Sequence, residues 1–268
     1  MLFLYVWCVI QIVTESLPIS SSGHVKLFHN CIDSFHLSYD FVSQKAIIDF
    51  LLHLPTFFIL FVFFFIRWWS MLLRQPVTIN VFFQQATWNK ILQLSLFFII
   101  ADSIPVIIWL FDILPDISLT VGFIVTALFL FSLRYVADMN NRIFDYSYRY
   151  ALLLGVLQSI SLLPGISRFA TTYVLGRWCG YRTQDAFATS FLIQMPLIAG
   201  ACVKGVLSIR SYPYLMSNLF DFKFLFVILS ASIVSYYALC WVASMMQRKK
   251  IWKFSWYMLL PITMSLFV

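Results

Sequence analysis

The sequence predicts an all-α integral membrane protein built as a polytopic helical bundle, and three observations carry that prediction. Hydrophobic residues make up 62% of the 268-residue chain and charged ones only 11%, with a mean hydropathy of +0.88. That composition excludes an ordinary soluble domain. The apolar residues fall in continuous runs near 2–17, 46–66, 91–111, 119–133, 150–163, 187–207, 224–246 and 254–268, several close to the ~20 residues a helix needs to cross a bilayer. None of the runs alternates as a membrane β-strand does, so helices must satisfy the backbone in lipid. The net charge of +7 fits cytoplasmic loops facing anionic lipid, and no nucleic-acid partner is expected. Five scattered cysteines lack the paired spacing of a disulfide framework or zinc site.

The first run, 2–17, is short and leads into Gln11–His24, QIVTESLPISSSGH. Glu15 is the sole glutamate of the chain, and an ionisable group at membrane depth marks a functional site. Gln11 lies four residues earlier, on the same helical face. Pro18, three serines and Gly23 then prevent a plain helix from continuing. The runs 46–66, 91–111 and 119–133 complete the first half. The run 150–163 is again short and ends in LLPGISRFATT at 162–172. Its Val156-Leu157-Gln158 matches Val9-Ile10-Gln11, and the serine nine residues on is Ser167 in one copy and Ser20 in the other. LLHLP at 51–55 matches LIQMP at 192–196. Two similarities in the same order predict a duplication: one membrane domain over 1–268, with repeat one about 1–133 and repeat two about 146–268.

Loop charge sets the expected topology. The loops 67–90, 134–149 and 247–253 are basic, while 112–118 carries Asp112 and Asp116. With the basic loops in the cytoplasm, 46–66, 91–111, 119–133, 187–207, 224–246 and 254–268 become six full spans. The two broken segments then become re-entrant helix pairs that enter from opposite faces, giving an inverted-topology repeat. Paired broken segments point to a binding site.

The residues in these breaks suit phosphoryl chemistry. A diphosphate brought into low dielectric requires cations, metal or oriented amides, and Arg168 offers a planar donor fork for phosphate oxygens. Ser20, Ser21, Ser22 and Gly23 can present hydroxyls and N–H groups to an anion, or cap a helix. Glu15 with Gln11 can hold a divalent cation such as Mg or Ca, or Glu15 can orient a water or His24. His29, His36 and His53 read as bystanders. Asp49, Asp102, Asp112 and Asp185 read as acids capping or snorkelling at span ends.

The motifs QIVTE at 11–15, PISSSGH at 18–24 and PGISRFATT at 164–172 resemble those of the BacA-type undecaprenyl-diphosphate phosphatases of bacterial membranes. Their signatures are (E/Q)xxxE running into a PxSSSGH-like stretch, and PGxSRSxxT. The likeness continues through FLLHLP at 50–55, SIPVIIW at 103–109, RYALLLGVLQ at 149–158 and SFLIQMPLIAGA at 190–201. Phe169 stands where the family's serine follows the motif arginine, and Pro55, Ala101, Asp102 and Ala188 also depart from its usual residues. The resemblance implies hydrolysis of undecaprenyl diphosphate to undecaprenyl phosphate and inorganic phosphate, at a site on the outer side of the bacterial inner membrane. It implies catalytic roles for Glu15, Ser21, His24 and Arg168, and substrate contacts from Gln11, Ser20, Ser22, Ser167 and Thr172. The nucleophile is Ser21 or a water. The expected partners are the polyprenyl diphosphate lipid, the bilayer and a second copy in a homodimer. The rival is a carrier or flippase, or a phosphate-sensing binding protein, on the same scaffold without hydrolysis.

Overall fold

Among the described residues regular structure is helical, as the apolar runs predict. A computed structural model describes residues 2–34, 45–73, 85–111, 113–136, 147–209 and 221–267. His36, Arg74, Asp112 and Arg142, used in the histidine and loop-charge readings, lie outside the described residues. The first half holds α1 (Leu2–Glu15), α2 (Ser21–Ser34), α3 (Lys45–Leu73), α4 (Gln85–Leu110) and α5 (Leu119–Ser132). The second holds α6 (Tyr148–Ile160), α7 (Arg168–Trp178), α8 (Thr183–Leu192), α9 (Met195–Ile209), α10 (Phe222–Gln247), α11 (Phe254–Tyr257) and α12 (Leu259–Phe267).

Four stretches are long and apolar enough to cross a membrane: Ile47–Phe65, Leu92–Leu110, Thr183–Ile209 and Phe222–Gln247. The protein is therefore an all-α polytopic membrane protein. Three expected spans differ in detail. The run 119–133 forms α5, whose 14 residues rise ~21 Å against a ~30 Å hydrocarbon core. The run 254–268 divides into α11 and α12 at Met258. Thr183–Ile209 breaks at Ile193-Gln194, because Pro196 has no N–H and is accommodated in the first turn of α9 rather than in the middle of a helix.

Packing positions the site. α3 lies along α9, α4 along α6, and α1 along α10. The α8 segment is fastened to α3 by buried Asp185, which accepts from Arg67 at 2.7 Å and Arg182 at 2.8 Å, and by Trp68 Nε1 donating to Ala188 O at 2.9 Å. Around them is an aromatic cluster in which Phe169 stacks on Phe191 at 4.5 Å and Phe64 on Phe191 at 5.1 Å. Phe169 is thus a core residue, 2% exposed. At the family's usual serine position this chain places apolar packing that holds α7 against α8.

Candidate active site

Both breaks have the same construction. After Glu15 the chain turns through Ser16 and Leu17, whose amides donate to Val13 O and Thr14 O. Ser20, at φ +68°, then accepts from Gly23 N at 3.2 Å and caps α2. A left-handed conformation at a non-glycine residue costs roughly 1–3 kcal/mol and occurs where surrounding contacts enforce it. After Ile160 the chain turns again through Gly165, at φ +85°, and Ser167 accepts from Ala170 N at 3.2 Å to cap α7. The two serines matched in the sequence therefore perform the same task. Each opens a helix whose free N–H groups and dipole favour an anion.

The two turns meet. A Cβ on Gly23 would stand 2.7 Å from both Gly165 Cα and the Phe123 ring, and one on Gly122 would stand 1.9 Å from Pro164 O, so both backbones press directly on the second turn. Thr126 of α5 locks the second turn. Its hydroxyl donates to Gly165 O at 2.8 Å and accepts from Ser167 N at 2.9 Å. One cleft results, lined by Thr14, Glu15, Ser20–Ser22, Ser161, Ser167, Arg168 and Gln194 among others.

Glu15, Ser20, Ser21, Ser22, Ser167 and Arg168 thus come together, although the two motifs are far apart in the chain. Within the cleft the Ser21 hydroxyl donates to Glu15 Oε2. Gln11, His24 and Thr172 do not line it. Gln11 is buried one turn back on α1. Thr172 is fully buried and donates to Arg168 O at 2.8 Å, so it buttresses the first turn of α7. His24 is turned toward α11: its Nδ1 is 2.8 Å from Ser20 O and its Nε2 3.1 Å from the Tyr257 hydroxyl. Because Nδ1 faces a carbonyl it carries the proton, which leaves Nε2 as the acceptor in the neutral ring.

Several site residues were not singled out from the sequence. His53, read as a bystander, has Nδ1 3.9 Å from Glu15 Oε1, and that atom is buried without a hydrogen bond. Gln194 lines the cleft and is 2% exposed. These two occupy matching positions of LLHLP and LIQMP, a likeness that could have singled them out. Thr126 and Gly122 have no such signal in their apolar run. His29 does remain outside the site, with Nδ1 bonded to Val25 O and its ring edge-on to Trp7.

Among the described residues no group of three or more His, Cys, Asp or Glu side chains could hold a metal. The carboxylate of Glu15 beside three hydroxyls is instead a hard-oxygen set. It suits an ion that takes one protein carboxylate, keeps waters and shares substrate phosphate oxygens.

The comparisons agree along almost the whole chain. The family model described as "Bacitracin resistance protein BacA" matches residues 4–262. A Thermotoga petrophila protein named "Undecaprenyl-diphosphatase" is 31% identical over 267 residues, covering 97% of each chain. Similarly named proteins of Christiangramia forsetii and Halothermothrix orenii are each 29% identical, covering 93% of this chain and 89% and 90% of their own. With the paired motifs joined in one cleft and the match running nearly end to end, the chain belongs to the BacA family.

Proposed function

We propose that this protein is an undecaprenyl-diphosphate phosphatase. It hydrolyses the lipid diphosphate to undecaprenyl phosphate and inorganic phosphate, and so recycles the carrier for cell-wall polymers. The observation that carries this reading is the meeting of Glu15, the Ser20–Ser22 turn, Ser167 and Arg168 at two helix N-termini in one cleft. The names of the relatives favour hydrolysis over a non-hydrolytic flippase.

In the proposed reaction the Ser21 oxygen attacks the terminal phosphorus and its proton passes to Glu15, the acceptor it already faces. The phosphorus–oxygen bond to the lipid phosphate breaks, and undecaprenyl phosphate leaves as an anion. Arg168 and the N–H groups opening α2 and α7 neutralise the charge on the transferring group. A water then attacks the phosphorus and the phosphoseryl bond breaks, Glu15 returning its proton to the Ser21 oxygen as inorganic phosphate is released. In that second step the proposed proton acceptor is His24 Nε2, which must first exchange the Tyr257 hydroxyl it faces outside the cleft for that water. A divalent cation would be held by Glu15, with Gln11 one turn behind, and would supply positive charge to the diphosphate. The lipid tail would lie in the apolar groove of about 440 Å³ between α3 and α10, within the ~300–1,000 Å³ usual for ligand sites. Its walls adjoin the cleft, since His53 of α3 faces Glu15 and Ser235 of α10 bonds to Ser16 at 2.7 Å. The same proposal includes a bacterial inner-membrane location, an outward-facing site and an inverted repeat with two re-entrant pairs.

The test is phosphate release from purified protein and undecaprenyl diphosphate. Arg168→Ala and Glu15→Gln should each lower kcat by ~10²–10³, the range for removing a group that stabilises transition-state charge. Lipid movement across liposomes without phosphate release would instead favour a carrier.

A further inference from the structure

At the far end of α7 from the cleft is an arginine that the proposed reaction does not use. Arg168 opens this helix and Arg177 lies in its last turn, ~13 Å away along the axis. Gly180, at φ +84°, ends α7 with paired bonds, Gly180 N to Arg177 O and Tyr181 N to Gly176 O, in the turn that glycine favours at a helix C-terminus. That turn brings Tyr181 O to the guanidinium, where Nη1 donates to it. Arg177 is only 6% exposed, yet no carboxylate among the described residues pairs with it. Asp185, the acid in the first turn of α8, is already held by Arg67 and Arg182. A cation buried without a counter-charge is costly, so this one calls for an anion.

The space beside it suits one. Arg177 shares a pocket with Tyr173, Thr183, Lys249 and Trp252, and this pocket has no lining residue in common with the catalytic cleft. Tyr173 is 3% exposed, and its hydroxyl makes no hydrogen bond to a described residue. Thr183 begins α8, which has no side-chain cap, so its first N–H groups are open to a ligand. Lys249 closes α10 in a left-handed conformation, φ +56°, with Lys249 N bonded to Met246 O and Lys250 N to Met245 O. Glycine is usual at such a position, and the lysine puts a charge there instead. The C-termini of α7 and α10 each bring about half a negative charge, so Arg177 and Lys249 exceed them by about one unit. Arg134, 5.3 Å over the Trp252 ring, adds to the surplus.

The remaining wall is apolar, from Leu133, Val136 and Ile251. Tyr135 and Trp178, next in the chain to Val136 and Arg177, are 73% and 49% exposed, and such rings mark the level of lipid headgroups. Lys249, Ile251 and Trp252 belong to the basic 247–253 loop, which the proposed topology places on the cytoplasmic side, where anionic headgroups are met. We propose that this pocket is a second anion site, which takes the phosphate of an anionic membrane phospholipid. Arg177 and Lys249 hold the phosphate oxygens, Tyr173 and the opening amides of α8 donate to them, and the apolar wall receives the carbons next to the headgroup. Inorganic phosphate carries the same oxygens but nothing to cover that wall. The inference does not depend on the phosphatase reading.

The experiment titrates the purified full-length protein in detergent with dioctanoyl phosphatidylglycerol by calorimetry, beside dioctanoyl phosphatidylcholine and inorganic phosphate. Wild type should bind phosphatidylglycerol more tightly than either of the others. Lys249→Asn removes the charge with a residue that tolerates the left-handed backbone. It should weaken the phosphatidylglycerol Kd by about fivefold, the worth of one lysine beside an anionic headgroup. Tyr173→Phe and Arg177→Gln should each weaken it by about tenfold or more, as for loss of a hydrogen bond to a charged group. Where Arg177→Gln does not fold, the other two variants decide. Lys253→Asn, an exposed charge of the same loop outside the pocket, and Arg168→Ala in the cleft should each stay within about twofold of wild type. Equal losses from Lys249→Asn and Lys253→Asn would mean diffuse surface attraction and overturn the site. So would a Kd unmoved by Lys249→Asn and Tyr173→Phe, the result if Arg177 only closes its own helix. Inorganic phosphate or phosphatidylcholine binding as tightly as phosphatidylglycerol, with the same response to the variants, would overturn the assignment to an anionic lipid.

Discussion

Thr126 illustrates how much one hydroxyl can organise. It satisfies Gly165 O and Ser167 N together, and both partners belong to the turn that presents Arg168. Thr126→Val keeps the shape but leaves two buried backbone groups unpaired, at about 1–3 kcal/mol each. We expect a lower midpoint of thermal unfolding in detergent and a fall of about tenfold in kcat, with Thr126→Ser restoring both. Gly122→Ala should act by overpacking. Its Cβ would meet Pro164 O at 1.9 Å, and forcing a methyl into a filled contact costs typically about 1–3 kcal/mol. A variant with unchanged unfolding midpoint and unchanged phosphate release would show that the two turns do not depend on this contact.

At the scale of the element, the two capping serines invite a paired comparison. Ser20→Ala and Ser167→Ala each remove a cap worth about 0.5–2 kcal/mol, and each frees a helix N-terminus that faces the cleft. Both variants should raise KM for the lipid diphosphate. If the caps serve one anion, as proposed, their double variant should depart from the product of the single effects. Additive losses would mean that the two helices act on separate sites. The breaks themselves were legible in the sequence, because Pro18, Pro164 and runs of serine within apolar segments leave a helix no way to continue. The interruption of Thr183–Ile209 at Ile193-Gln194 was not, since Gln194 is a single polar residue in an otherwise ordinary apolar run.

At the scale of the whole molecule, the contacts run between halves. α1 packs on α10 while α6 packs on α4, and α2 meets α12 while α5 meets α7. Each half therefore covers the other's broken helices. Residues 1–133 or 146–268 expressed alone should release no phosphate, whereas the two co-expressed should recover part of the full chain's activity. Recovery from a single half would refute the interdependence of the two halves. Chelation of divalent cations should abolish phosphate release from the whole protein, and added Mg or Ca should restore it. Full activity after exhaustive chelation would remove the cation from the proposal.

The sequence by itself determined that the chain is helical, that it belongs in a bilayer, and which polar residues interrupt its apolar runs. Composition and local periodicity are sufficient for those properties, because lipid leaves the backbone few alternatives. Glu15, Ser20–Ser22, Ser167 and Arg168 were visible for the same reason, as polar groups where apolar ones are expected. Only the tertiary structure decided that they share a cleft, that His24 turns toward Tyr257 while His53 faces Glu15, and that Phe169 is core. The shared cleft depends on how closely backbones approach at Gly23, Gly122 and Gly165. Contact between distant segments is fixed by the packing of whole helices, which no local pattern of residues encodes.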